Sequence, residues 1–183
     1  MEPFGGQRTL QGMDQEDWQQ ARAGDGRAFG RVFDPHKDRI RRHAHGLTSR
    51  SSDAEDIVAI TFLEAWRLRS RVRLVDGSTL PWLIVTATYT ANNFRRSARR
   101  YARALERLPE PQPILADEDD DHTATRALAG LRLEDQKVIT LCVLFDYSAA
   151  EAATVLSIPV GTVKSRLSRA KARLTIELTN QNA

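Results

Sequence analysis

A chain of 183 residues, 41% hydrophobic and only 7% aromatic, has room for one ordinary domain or two small helical ones. Its net charge of +3 hides segregation: six arginines against one glutamate from Arg95 to Arg107, then six acids and no Lys or Arg from Leu108 to His122. One cysteine, no Cys/His cluster, no apolar run near the roughly 18 residues of a membrane span and no secretion signal argue against an intramolecular disulfide, a zinc site and membrane insertion. A cytosolic protein without metal or cofactor is expected, with a basic surface for nucleic acid beside a linker that avoids it.

Residues 1–13 lack periodicity and carry Pro3, Gly5, Gly6 and Gly12, so they read as a disordered tail. Met13, directly before the acidic start of the first helix, is a second candidate initiator. A short helix from about Asp14 to Ala23 ends at Gly24, and Asp25 caps the next. That helix continues through Ala28, Phe29, Val32, Phe33 and Ile40 to about Leu47, with Pro35 expected to bend or interrupt it. His36, His43 and His45 lack carboxylates at ligand spacing and read as a solvated or partly buried face rather than a metal site.

The third helix opens on Ser52-Asp53-Ala54-Glu55, which fits a capping box, and reaches about Arg69. Ala54, Ile57, Val58, Thr61, Phe62 and Ala65 form its buried stripe at helical spacing, with Trp66 at the edge. Asp56, Ala59, Ile60 and Leu63 cluster on the other side, an apolar patch with one acid that suits a partner surface unless the N-terminal helix covers it. The words Asp53-Ala54-Glu55-Asp56-Ile57-Val58, Thr61-Phe62-Leu63 and Ala65-Trp66 resemble region 2.2 of extracytoplasmic-function sigma factors, small bacterial subunits that lend promoter specificity to RNA polymerase. The resemblance implies that Asp53, Asp56, Ala59, Ile60 and Leu63 dock on the β′ clamp helices. Relatives usually carry Gln and an acid where this chain has Ala59 and Ile60, which removes two polar contacts.

After a loop, a fourth helix runs from about Leu80 to Leu105, with Leu83, Ala87, Ala91, Phe94, Ala98, Tyr101 and Leu105 as its inner stripe. Its outer face reads in order as aromatic, amide and guanidinium: Trp82, Val85 and Tyr89, then Asn92 and Asn93, then Arg96, Arg99, Arg100 and Arg103. Aromatics stack on unpaired bases, amides read base edges and arginines hold phosphates, so single-strand contact is expected. Leu80-Pro81-Trp82-Leu83 and Asn92-Asn93-Phe94-Arg95-Arg96 resemble regions 2.3 and 2.4 of the same family. The resemblance assigns Trp82, Tyr89, Asn92, Asn93, Arg96 and Arg99 to the promoter's −10 element, and gives the preceding loop, Arg71 to Thr79, the capture of a flipped base.

Pro109, Pro111 and Pro113 followed by the acidic run mark residues 108–121 as an extended linker. Helices over His122–Leu131 and from Leu133 to about Phe145 follow; Cys142 lies in an apolar run and reads as a buried structural thiol. Ser148 with Glu151 makes a second capping box, the helix stops near Leu156, and Pro159 opens the last helix. At 100° per residue Val163, Leu167, Ala170 and Leu174 share an apolar stripe. Thr162, Ser165, Arg166, Arg169 and Arg173 fall opposite, flanked by Lys164 and Lys171. A helix clamped on one side and showing hydroxyls and guanidiniums on the other is built for a DNA major groove.

The run Ile158-Pro159-Val160-Gly161-Thr162-Val163-Lys164-Ser165-Arg166-Leu167 closely resembles the sigma region 4 helix-turn-helix, and implies −35 element contacts by Thr162, Lys164, Ser165, Arg166 and Arg169. Ser157 stands where Gly is usual, at a position where φ is often positive. The expected fold is all-α: a tail (1–13), a region 2 bundle (14–107), a flexible acidic linker (108–121) and a region 4 helix-turn-helix (122–183). The resemblance implies as partners core RNA polymerase through its β′ clamp helices and β flap, promoter DNA, and an anti-sigma factor. No nucleophile or metal constellation points to an enzyme, and contiguous acids in a proline-rich linker lack the fixed geometry of two-metal hydrolysis. The competing expectation is a free-standing helix-turn-helix regulator that never touches polymerase.

Overall fold

The computed structural model describes residues 14–48, 50–105, 127–128 and 130–181. The expected tail, the acidic linker and most of the helix placed at His122–Leu131 lie outside the described residues. Seven α-helices are named below: α1 (Gln15–Arg22), α2 (Gly26–His45), α3 (Ser51–Arg67), α4 (Leu80–Leu105), α5 (Leu133–Ile139), α6 (Ala149–Leu156) and α7 (Val160–Gln181), with a π-helical turn at Thr140–Leu144. Among the described residues the only β pairing is a single bridge, Val75 to Ser78.

The first four helices form one bundle. α1 ends where Gly24 takes φ +105°, a left-handed turn that needs glycine. Asp25 then accepts hydrogen bonds from Arg27 N and Ala28 N and starts α2 as expected. α2 runs without interruption through Pro35. Proline removes one backbone bond there, but Val32, His36, Ile40 and Ala44 are buried on both sides of it, and that packing holds the helix. The capping box expected for α3 does not form. The helix begins one residue earlier, behind Arg50, which gives no side-chain cap, so Ser52 falls inside the first turn.

The α3 stripe is buried as read, from Ala54 to Ala65. The α4 stripe is buried only through its first turns: Leu83, Ala87 and Ala91 are core and Phe94 is half-buried, but Ala98 is exposed and Tyr101 is 63% exposed. Ile84 and Thr88, not in the expected stripe, are buried beside Leu83 and Ala87 because α2, α3 and the second unit all pack on α4. The last turns of α4 extend past the other described helices.

The three helices α5 to α7 pack as the second unit. Ser148 and Glu151 form the expected reciprocal cap of α6, and Ser157 turns the chain with φ +56°. Val163 and Ala170 are fully buried, with Leu167 and Leu174 beside them. The two units touch. α5 and the π-helical turn lie on α4, and Val138, Leu141 and Phe145 continue the apolar core of the first bundle. The reading of the histidines as a solvated or partly buried face needs correction: His36 and His43 are buried, and only His45 is exposed. Cys142 is half-buried, and burial pushes its thiol up, which keeps it protonated.

Candidate nucleic-acid interface

The outer side of α4 combines packed and free groups. Trp82, Val85, Tyr89, Asn93 and Phe94 line a groove of about 450 Å³ whose other wall is Ile60, Glu64 and Arg67 of α3. Trp82, Asn92 and Asn93 are half-buried, Tyr89 is 49% exposed, and Arg96 and Arg99 are exposed on the projecting turns. The second unit closes one end of this face. Lys137 places its ammonium 5.8 Å from the Tyr89 ring centroid. Arg95 donates to Asn92 Oδ1 at 3.3 Å and to Gln136 Oε1 at 3.2 Å. Gln136 is itself buried and donates to the carbonyls of Leu128 and Leu131, so Arg95 serves packing rather than phosphate.

The loop before α4 is more ordered than its composition suggests. Asp76 and Gly77 take φ +48° and +74°, the two left-handed residues of a type I′ turn. Val75 and Ser78 exchange backbone hydrogen bonds of 3.1 and 2.9 Å across it. Val72 and Val75 point into the core, while Arg71, Arg73 and Asp76 are exposed. The Asp-Gly pair after alternating Arg71–Val75 is a hairpin signal in the sequence.

The outer face of α3 divides in two. Ile60 lines the groove against α4, whereas Ala59 and Leu63 line a second groove of about 500 Å³ with Phe29 and Phe33 of α2 and with Phe62 and Trp66. Leu63 is 61% exposed, so α1 does not cover it. Asp53 is half-buried and Asp56 exposed beside it. Phe29 and Phe33 escaped the sequence reading of this surface, although their four-residue spacing placed both on one side of α2. Edge-to-face contacts fix them: Phe29 to Trp66 at 5.2 Å and Phe33 to Phe62 at 4.5 Å between centroids.

On α7, Lys164, Ser165 and Arg169 are exposed and Thr162 is half-buried. Ser165 Oγ donates to the Thr162 carbonyl. Arg166 and Arg173 turn toward α5, where they pair with Glu134 at 3.1 Å and Asp135 at 3.2 Å. Burial tends to raise the Glu134 carboxyl, but Lys137 and Arg166 bring it below its ordinary value. No described helix is long and apolar enough to cross a membrane.

The Sigma-70 region 2 family matches residues 32–101, and the Sigma-70, region 4 family matches residues 122–174. The extracytoplasmic-function RNA polymerase sigma factor SigM of Mycobacterium tuberculosis is 32% identical over 154 residues, 83% of this chain and 78% of the relative. This chain belongs to the extracytoplasmic-function sigma factors. It is an alternative-sigma transcription initiation factor, which directs RNA polymerase to specific promoters. The solved structure of CnrH in complex with the cytosolic domain of CnrY is 26% identical with a TM-score of 0.60, covering 91% of this sigma factor and 97% of that chain. The complex of RpoE with the anti-sigma factor NepR from Bartonella quintana is 25% identical with a TM-score of 0.51, covering 78% and 91%. Region 2 of this sigma factor thus takes in most of α2, all of α3 and α4 as far as Tyr101, and region 4 takes in α5 to Leu174 of α7.

Proposed function

We propose that this sigma factor reads promoters in two parts, with residues 14–107 acting on the −10 element and residues 122–183 on the −35 element across the linker 108–121. The observation that carries the reading is the side of α4. Stacking rings (Trp82, Tyr89), amides (Asn92, Asn93) and exposed guanidiniums (Arg96, Arg99) follow one another there along the helix, from a walled groove to its exposed end. Melted bases stack in the groove while the phosphates run along the arginines. Because Gln136 and Lys137 hold one end of that line, loading of the strand moves α5 away from Arg95 and Tyr89.

In the second part α7 enters the major groove with Lys164, Ser165 and Arg169 leading, and Thr162 at its head. Arg166 joins by exchanging Glu134 for DNA, an inexpensive trade because partly exposed ion pairs contribute about 0–1 kcal/mol. The aromatic-walled groove holding Ala59 and Leu63, edged by Asp53 and Asp56, receives the polymerase β′ clamp helices, and Ile60 serves the α4 groove instead. The β flap meets region 4. Catalysis stays with the polymerase, the protein works in the cytoplasm, and an anti-sigma factor is the third partner, as RpoE has in its complex with NepR.

The test is a pull-down of the full chain with bacterial core RNA polymerase, followed by run-off transcription from genomic fragments. Stable binding with new promoter-specific transcripts is expected. Specific duplex binding with no affinity for core polymerase would return the free-standing regulator. Leu63→Glu places a charge in the aromatic groove and lowers core affinity by about a hundredfold, since an unpaired buried charge costs several kcal/mol. Its duplex binding stays unchanged; unaltered core affinity would remove this groove from the polymerase surface.

A further inference from the structure

Asp14 stands at the head of α1 but makes no side-chain cap to its own helix. Its carboxylate crosses to α2 and to the start of α4. Oδ2 lies 2.6 Å from His36 Nε2, and it accepts from Thr79 N and Thr79 Oγ1 at 2.8 Å and from Ser78 Oγ at 3.3 Å. Ser78 Oγ in turn accepts from Leu80 N, the first residue of α4. Asp14, His36, Ser78 and Thr79 are all buried, none more than 4% exposed. Burial alone would raise the Asp14 carboxyl, but His36 and Thr79 outweigh it and hold the group below its ordinary value, so it is charged at neutral pH. A negative charge at a helix N-terminus is favourable.

Of the residues that depend on this carboxylate, Ser78 and Thr79 stand between the hairpin and α4 and His36 on α2; none belongs to α1. α1 has its own anchor in Trp18, 1% exposed and stacked obliquely on Phe29. Ser78 and Thr79, by contrast, are the hinge between the type I′ turn and α4. Without Asp14 the Thr79 amide and both hydroxyls lose a buried acceptor, which each group resists strongly. The turn stays closed through its own two backbone bonds, but its exposed residues Arg73 and Asp76 lose their fixed direction relative to Trp82, three residues past the hinge. Asp14 lies outside the region 2 match at residues 32–101, whereas His36, Ser78 and Thr79 lie inside it, so the clasp ties the N-terminal helix to the matched segment.

We infer that Asp14 is a positioning residue for −10 reading: its buried clasp with His36, Ser78 and Thr79 sets the 75–78 hairpin at one place beside the α4 groove. The inference rests on the assignment of that groove and loop to the −10 element. A preset loop spends no binding energy on its own ordering and discriminates bases by position, and displacement by about 1 Å at such a site costs much of the discrimination.

The experiment uses reconstituted holoenzyme and one promoter randomised across its −10 element, with transcript yield read for every base. Core affinity and −35 duplex affinity are measured beside it. Asp14→Asn keeps the size and removes the charge. It should bind core within about twofold of the unsubstituted protein while the preference between best and worst base falls about fivefold or more at one or two positions. A parallel fall on all promoters with preferences intact would overturn the inference and leave the clasp a structural staple. Should Asp14→Asn fail to fold, Thr79→Val, which removes one hydroxyl and keeps the backbone amide, decides the question. A two- to threefold flattening rescued by Thr79→Ser supports the clasp, and unchanged preference sinks it. Absence of any −10 preference in the unsubstituted holoenzyme would instead overturn the assignment of the groove.

Discussion

The two DNA-facing helices follow opposite electrostatic plans. On α4 the neutral reading groups sit in a walled groove, and the arginines come afterwards on turns that leave the bundle. On α7 the helix is packed along most of its length, and two of its arginines already rest on acids of α5. Single strands are flexible, so a surface that reads them gains from rigid shape. A duplex brings its own shape and a dense line of phosphates, so a surface that reads it gains from charge that can be exchanged. Shape is thus the vulnerable property of the first unit and charge that of the second.

The largest expected effect falls on shape and needs no mutation. His43 is buried where α2, α4 and the second unit meet, with Nε2 2.9 Å from Thr88 Oγ1 and its ring edge-on to Phe145 at 5.2 Å. Thr88 Oγ1 already donates to the Ile84 carbonyl, so His43 Nε2–H donates to Thr88. Burial lowers its pKa from 6.5 to about 4. The unfolded chain therefore takes up this proton first as pH falls. Stability is complete above pH 6.5, declines from 6.5 to about 4 and then levels with respect to this group, by about 3 kcal/mol in all. Trp18, Trp66 and Trp82, the three tryptophans, all lie in the first unit. Urea midpoints followed by their fluorescence should fall steadily over that window, and His43→Gln should remove most of the dependence. A midpoint constant between pH 6.5 and 4.5 would show that His43 opens to solvent and that the junction is looser than its packing.

A smaller effect separates stacking from charge. Tyr89→Ala should cost about 1–3 kcal/mol in binding the single-stranded non-template −10 sequence, with the salt dependence of binding unchanged. Arg99→Ala should do the converse, a smaller loss with a shallower salt slope. If Tyr89→Ala changes only the salt slope, the groove does not stack bases and the contrast between the two helices disappears.

Much of this contrast was legible in the sequence, because helical periodicity and capping report local packing. The α3 and α7 stripes, the cap at Asp25, the Ser148–Glu151 box and the left-handed Ser157 were all readable from spacing and residue type. What the sequence did not disclose were contacts across chain distance. The spacing of the α4 stripe continues through Tyr101 to Leu105, yet Ala98 and Tyr101 are exposed and no described helix covers them. Ile60 and Leu63 were grouped by angle on α3, yet α4 and α2 draw them into different grooves. Periodicity places Arg166 and Arg173 on the face opposite the apolar stripe, but nothing in α7 shows the acids of α5 that hold them. The Asp14 clasp joins residues 65 positions apart and leaves no periodic trace.

The smallest effects test whether the charge on α7 is held in exchange. Arg169, exposed, and Arg166, paired with Glu134, should differ when replaced by Ala. Arg169→Ala loses the full contact, about 1–3 kcal/mol on its −35 site if it grips a base edge, whereas Arg166→Ala loses that amount less the ion pair it gives up on binding. Glu134→Gln then supplies the reciprocal case. It releases Arg166 without touching DNA, so duplex affinity should rise by up to about 1 kcal/mol at low salt and by less as salt screens both interactions. Lys137 loses the same acid and is freed beside Tyr89, so the −10 affinity of the same variant is read alongside. A gain confined to the −35 duplex places the exchange at Arg166. A gain at both sites assigns part of it to Lys137, and no gain at either means that the Arg166–Glu134 pair persists in the bound state and that α7 reads DNA with Lys164, Ser165 and Arg169 alone.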